Sequence, residues 1–273
     1  MTEAAIHITS YQLIFLTVLS FGVGILGGFV GLALGTMQLP ALLFIGIPLP
    51  IAAGTNIAVS ALASLTGSIR HFRGGRVNFQ VVATMGIPAV IGAFIGGFAG
   101  GSVPESVIVG LAGIFVMWQG VELILASRKQ REPTASSESP EPSEDTISPS
   151  VQRYTIESVI GLSIGLLGGA VGLILGSIRL PTLVNFLKMN PRIAAGTNMV
   201  IGLFMGIAGF IGHGIQNHMH LPLLIGMGIA AMIGSALGAR LTGKVSRRTL
   251  VLSMGCVLLP VGILLMVDAI QLR

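Results

Sequence analysis

Apolar residues in this chain come in long unbroken runs, not in the alternation of a half-buried strand or the single stripe of a surface helix. The runs lie at about 11–34, 36–49, 51–69, 79–100 and 104–126. After a polar gap they return at about 155–175, 177–188, 193–211, 221–240 and 249–268. A helix needs about 20 residues to cross the hydrocarbon of a bilayer, and eight of these runs approach that length. The two short ones, 36–49 and 177–188, predict half-helices or re-entrant pieces. The expectation is an all-α, polytopic membrane protein.

The gap, SRKQREPTASSESPEPSEDTISPSVQR, is rich in Pro, Ser and Glu. It has no apolar area to bury, so it reads as a disordered linker. The domain expectation is a first membrane repeat over 1–126, the linker over 127–153, and a second membrane repeat over 154–273. Composition supports the membrane reading. Charged residues make up 9% of the 273 residues and hydrophobic ones 52%. Nine of the 25 charges fall in the linker, so the other 246 residues share 16. A water-soluble surface of this size needs far more, which excludes a soluble enzyme, a nucleic-acid binder and a disordered chain. The opening residues carry no Lys or Arg before the first run, so that run reads as a mature membrane segment and not a cleaved leader. The single cysteine, Cys256, allows no intrachain disulfide.

The halves repeat. Residues 27–56 read GGFVGLALGTMQLPALLFIGIPLPIAAGTN and residues 168–198 read GGAVGLILGSIRLPTLVNFLKMNPRIAAGTN. With one insertion near Arg192, 17 of 30 aligned positions are identical. The register continues through Gly67/Gly209, Ile69/Ile211 and His71/His213. Chance likeness between apolar runs would not keep Gly, Pro, Thr and Asn in step. Basic residues then set the orientation, because cytoplasmic loops hold the excess of Lys and Arg. If every run crosses and the N-terminus is outside, 13 of the 15 basic residues are cytoplasmic, all but Arg179 and Arg273. Each half then has five passes, and the halves are inverted. If the short runs merely extend their predecessors, each half has four passes and the halves are parallel. The charge bias favours five plus five, two inverted helical repeats with a broken helix in each, a recurring transporter architecture.

Candidate chemistry lies at the breaks, Gly35-Thr36-Met37-Gln38-Leu39-Pro40 and Gly176-Ser177-Ile178-Arg179-Leu180-Pro181. Proline removes a backbone donor and disfavours helix just before it. The expectation is an interruption at each Leu-Pro, with a new helix starting past the proline and offering N–H donors to an anion. A structural kink is the bland alternative. The second paired motif, Ala53-Gly54-Thr55-Asn56 and Ala195-Gly196-Thr197-Asn198, follows Pro50 and Pro191. Thr and Asn there read as helix caps, as donors to a desolvated anion, or as both. Arg179 has no charged counterpart, since Gln38 holds its place. It either faces an interior site or snorkels to an interface. His71 and His213 read as helix-end polar residues with a gating role as the sharper alternative. HGIQNHMH lacks a nearby cysteine or carboxylate, which argues against a metal. Carboxylates inside the runs are few (Glu122, Glu157, Asp268), and no Walker, HExxH or GxSxG motif occurs.

The glycine-rich first run, the break ending in Leu39-Pro40 and Leu180-Pro181, and the Ala-Gly-Thr-Asn that follows resemble the sulfite exporter TauE/SafE family. The likeness covers both membrane halves, about 11–126 and 155–268. It implies a multi-pass permease of the cytoplasmic membrane for small anions: sulfite, organosulfonates and related sulfur oxyanions or carboxylates. Members are often assigned seven or eight helices, against the ten passes counted above. The site expected is one anion site at mid-membrane where the breaks meet. Gln38, Pro40, Thr55 and Asn56 line it from one half, and Arg179, Pro181, Thr197 and Asn198 from the other. Export by alternating access needs no cofactor or metal. The partners are the solute and the lipid bilayer, not nucleic acid, and self-association stays open. The rival readings are a cation-coupled importer and a non-transporting scaffold or receptor. An enzyme ranks last for want of a nucleophile–base pair.

Overall fold

The computed structural model describes residues 8–30, 35–129, 151–241 and 247–271. Those residues are all helical or in short turns, with no strand among them. Lipid offers backbone groups no water, so a spanning segment must satisfy its N–H and C=O groups within a helix. The first half holds α1 (Ser10–Val30), α2 (Gly35–Phe44), α3 (Leu49–Arg73), α4 (Phe79–Ser102) and α5 (Glu105–Lys129). The second holds α6 (Val151–Val171), α7 (Gly176–Pro181), α8 (Pro191–Ile215), α9 (Leu221–Leu241) and α10 (Arg247–Gln271). Helix α4 passes through a π turn at Val82–Gly86 and closes in a 3-10 turn at Gly100–Ser102. Among the described residues seven helices are long and apolar enough to cross a membrane: α1, α3, α4, α5, α6, α8 and α9. Helix α10 is 25 residues long and carries a shorter apolar stretch, Leu258–Gln271. The linker assignment falls mostly on residues 130–150, outside the described residues; its flanks, 127–129 and 151–153, are helical.

Helices α3 and α8 are the most deeply buried and cross at the centre. They run antiparallel. Gly54 near the start of α3 packs against the His218 carbonyl and the His213 side chain, while Gly196 near the start of α8 packs against the Arg76 carbonyl and His71. The outer pairs are α1 with α9, α4 with α6, and α5 with α10. In α1–α9, Gly24 meets Ala231 and Gly28 meets Ser235, so the helices are parallel. In α4–α6, Gly161, Gly165 and Gly169 meet Met85, Ala89 and Ala93, again parallel. Helices α5 and α10 are antiparallel, with Gly113 on Met266 and Gly120 on Gly255. Exchanging first-half helices for their second-half counterparts maps this set of pairings onto itself. Glycine every fourth residue lets backbones approach where lipid supplies no hydrophobic drive for association.

The breaks differ from expectation in position. Helix α2 starts at Gly35 and keeps Pro40 inside it, and α7 starts at Gly176 and ends on Pro181. The interruption thus lies upstream of the glycine, not at Leu-Pro. A proline one turn inside a helix loses a single bond, and after Pro181 the chain accommodates it with a π turn over Thr182–Phe186, where the Leu187 N–H reaches Thr182 O at 3.1 Å. Residues 31–34, between α1 and α2, lie outside the described residues. In the second half, α6 closes at Gly172, whose φ of 76° suits a residue without Cβ. Gly172 N–H bonds Gly169 O (3.2 Å) and Leu173 N–H bonds Gly168 O (2.8 Å), the paired closure of a Schellman motif.

A Cβ on Gly165 would collide with the Ala89 carbonyl, whereas one on Gly22 meets nothing within 4 Å. Gly165→Val is therefore expected to destabilise the protein by about 1–3 kcal/mol through overpacking, and Gly22→Ala to leave it within about 0.5 kcal/mol. Thermal unfolding of the detergent-solubilised variants checks this; equal midpoints for the two would contradict the α4–α6 contact.

Candidate functional site

Arg179 lies in the interior of the second half, fully buried at 0% exposure. It does not snorkel. Its Nε donates to Asn198 Oδ1 (2.7 Å), its Nη2 donates to the Asn198 backbone oxygen (3.0 Å), and its Nη1 lies against Met205 Sδ. Gly202 leaves room for the group, since a Cβ there would stand 3.3 Å from Nη2. Among the described residues no carboxylate pairs with it; the ion pair present is Arg153 with Glu157, at 2.7 Å near the start of α6. A guanidinium out of water with neutral partners alone keeps most of its desolvation cost uncompensated.

Both motif asparagines serve the second break. Asn198 Nδ2 donates to Gly176 O (3.3 Å) and Asn56 Nδ2, from the other half, donates to Gly172 O (2.8 Å). Asn56 Oδ1 is buried without a partner. Gln38 is buried beside a cavity of about 10 Å3 lined also by Gly35, Ser60, Ser64, Met199 and Ser235. That is room for about one water-sized group. Ser64 Oγ donates to Ser60 O (2.8 Å) and Ser235 Oγ to Ala63 O (3.2 Å), while Ser60 Oγ has no partner. Thr36, in the first turn of α2, donates to Gln119 Oε1 on α5. Pro40 is buried in α2, and Pro181 is half-buried at the end of α7.

The capping reading of Thr55 and Thr197 does not hold. Helix α3 starts at Leu49, with Pro50 in its first turn and no side-chain cap, and α8 starts at Pro191, so both threonines sit in the second turn. Each hydroxyl instead accepts a backbone N–H from the opposite half: Thr55 from His220 (3.2 Å), Thr197 from Asn78 (2.9 Å). His213 is fully buried, with Nε2 2.9 Å from Gly169 O, and His71 is half-buried with Nδ1 unpartnered. Burial holds the imidazoles of His218 and His220 below their ordinary range, which suits His220 Nδ1 accepting the Leu223 N–H (3.4 Å) at the start of α9.

The residues therefore fall into two groups. Arg179 joins Asn198 on the α7 side; Gln38 joins the serines on the α2 side. Although α3 and α8 are antiparallel, the side chains of Asn56 and Asn198 meet the same interruption, at Gly172 and Gly176. Helix α2 packs on α1 and α3, and α7 on α8, while Asn56 links the two breaks: its Nδ2 bonds Gly172 O and lies beside Gly35. Sequence reading missed Ser60, Ser64, Gly202 and Gln119. The signal for the serines was present: Asn56, Ser60 and Ser64 are spaced by four and share one helix face.

A family model described as sulfite exporter TauE/SafE matches residues 16–265. The chain belongs to that family. It is 25% identical over 81% of its length to the probable membrane transporter protein YdhB of Bacillus subtilis, covering 87% of that protein. It is 23% identical to the probable membrane transporter protein YunE of the same organism, over 94% of this chain and 98% of the relative. The probable membrane transporter protein MJ0441 of Methanocaldococcus jannaschii is 24% identical over 92% of this chain and 94% of its own. No solved structure matches. Family and apolar helices together make this a multi-pass protein of a membrane transporter family.

Thr55→Val and Thr197→Val each strand a backbone N–H at a contact between halves. Each is expected to lower stability by about 1–3 kcal/mol, and by similar amounts because the two contacts are counterparts. Chemical denaturation in detergent measures this; a loss at one site alone would break the equivalence.

Proposed function

We propose that this protein is a permease that exports small anions, sulfite, organosulfonates or related sulfur oxyanions, across the cytoplasmic membrane by alternating access. One observation carries the reading. A fully buried guanidinium stands at a helix break with only neutral partners. An oxyanion supplies the missing charge, and the planar fork of Arg179 suits two oxygens of such a group. Asn198 positions the fork. Gln38 and Asn56 are the polar contacts on the other side of the α3–α8 pair. Since the cavity beside Gln38 has room for about one water-sized group, a solute must enter through a rearrangement, as alternating access requires.

The rearrangement proposed is one half rocking against the other about two inverted repeats. Support comes from helix directions. Five passes per half make the counterparts α3 and α8 antiparallel, α5 and α10 antiparallel, and α1–α9 and α4–α6 parallel. Four passes per half make the first two pairs parallel. The glycine contacts follow the five-pass pattern. The threonine bonds between halves, and His71 and His213 beside them, are the contacts that rocking would break and remake. The driving force needs no coupled ion. One charge moving through 100 mV is worth about 2.3 kcal/mol, enough to drive an anion out of a cell with a negative interior.

In proteoliposomes under an imposed voltage, Arg179→Ala is expected to reduce sulfur-oxyanion flux by about a hundredfold or more, in line with losing a charge-assisted contact of about 3 kcal/mol, while the protein elutes as folded. Unchanged flux would remove Arg179 from the site. A reporter fused at Gly214, in the last turn of α8, is expected to read out as extracytoplasmic. A cytoplasmic signal there would defeat the inverted arrangement.

A further inference from the structure

We infer that the transported solute is a singly charged anion, and that the pair Gln38 and Arg179 sets this limit. The inference rests on the anion-permease reading and names the substrate class of the same site.

The repeat places Gln38 at the position of Arg179, Asn56 at that of Asn198, Ser60 at that of Gly202, and Ser64 at that of Gly206. In the second half the long guanidinium lies over the space that Gly202 leaves. In the first half the shorter amide, with serines in place of the glycines, leaves a cavity of about 10 Å3 lined by neutral groups. The fold thus has two counterpart stations and one cation. Among the described residues the other buried ionisable side chains are Glu157 and His213. Glu157 is matched by Arg153. His213 stands at the opposite end of α8 and bonds Gly169 O. Glu122 on α5 is half-buried with Oε2 unpartnered, so among the described residues Arg179 is the fully buried ionisable side chain held by neutral polar partners at a break.

A monoanion at Arg179 closes the charge balance to zero. A dianion leaves one negative charge unbalanced beside a fully buried cation, a cost of the kind borne by a lone buried carboxylate. Donor geometry agrees. A guanidinium has five N–H donors. Asn198 and Met205 engage Nε, one hydrogen of Nη2 and one of Nη1. One donor remains on each of Nη1 and Nη2, a pair matched to two oxygens sharing one charge. Sulfonates, carboxylates and the singly protonated form of sulfite have that pattern.

The test is a flux panel with the full-length protein in liposomes under an imposed voltage. Methanesulfonate and acetate serve as monoanions, sulfate and thiosulfate as dianions. The expected result is that methanesulfonate, acetate or both move at least about tenfold faster than either dianion. Sulfate or thiosulfate moving as fast as the monoanions would overturn the inference while leaving the permease reading intact. No flux of any of the four would remove the permease reading and this inference with it. The assignment to the pair is tested by Gln38→Arg combined with Ser60→Gly, which installs a second guanidinium with space for it. Its dianion flux is expected to rise to within about threefold of its monoanion flux. Gln38→Lys alone serves if the double variant does not fold, with the same shift expected. Wild-type charge selectivity in a folded variant would overturn the role of the pair.

Discussion

A helix interrupted inside a bilayer frees carbonyl oxygens that have no water to meet them. Here Asn56 takes up that demand past the end of α6, while Asn198 holds the start of α7. Asn56 reaches Gly172 O across the boundary between halves, and Asn198 reaches Gly176 O from the next long helix. The first bond ties the end of α6 to α3, and the second ties the start of α7 to α8. Because α3 and α8 form the central crossing, the break is fastened to the most buried pair in the molecule. The same Asn198 then uses its side-chain and backbone oxygens on Arg179. One residue therefore braces the start of α7 and orients the charge beside it. Loosening that residue would affect the break and the cation together.

The neutral setting of Arg179 has a second consequence. Burying an ion pair commonly gains little net stability, and burying half of one is worse. A fold that retains a lone guanidinium at its centre carries a standing electrostatic cost that an anionic ligand relieves. Under the proposed permease reading, binding energy and stability would be linked: an anion at Arg179 would favour the closed arrangement, and its departure a more hydrated one. For a carrier this is useful, because the empty and loaded forms differ in what they prefer. The first-half station lacks this bias. Its serine hydroxyls are largely spent on backbone carbonyls, with Ser60 Oγ left over.

Much of the architecture was legible because the bilayer limits the choices. Long apolar runs can only be helices, and the ten runs correspond to the ten helices among the described residues. The repeat was legible because Gly, Pro, Thr and Asn occupy special backbone positions that drift out of step in unrelated apolar runs. The location of the breaks was misread by about one turn. Proline was weighed as a breaker, yet Pro40 and Pro181 sit far enough into α2 and α7 to lose one bond each, and the glycines ahead of them mark the starts. The threonines were misread because the helices start earlier than the motif, with proline in the first turn. Arg179 was legible as an anomaly, but its partners were not. Asn198 is near in the repeat motif and far along the chain, and Gly202 and Ser60 look like ordinary small residues until the packing gives them neighbours.

The close glycine contacts also constrain how such a protein can move. A contact like Gly54 on the His218 carbonyl or Gly196 on the Arg76 carbonyl has no side chain to bend. It can slide or separate, but it cannot compress. Tightly packed elements of this kind switch between discrete arrangements in place of deforming continuously. The outer pairs α1–α9 and α4–α6 each join one helix from each half through several such contacts in register. If the halves rock, these pairs must shear, and contacts in register at four-residue spacing favour shear by a whole step. The Thr55–His220 and Thr197–Asn78 bonds, also between halves, would open with that step and close again after it.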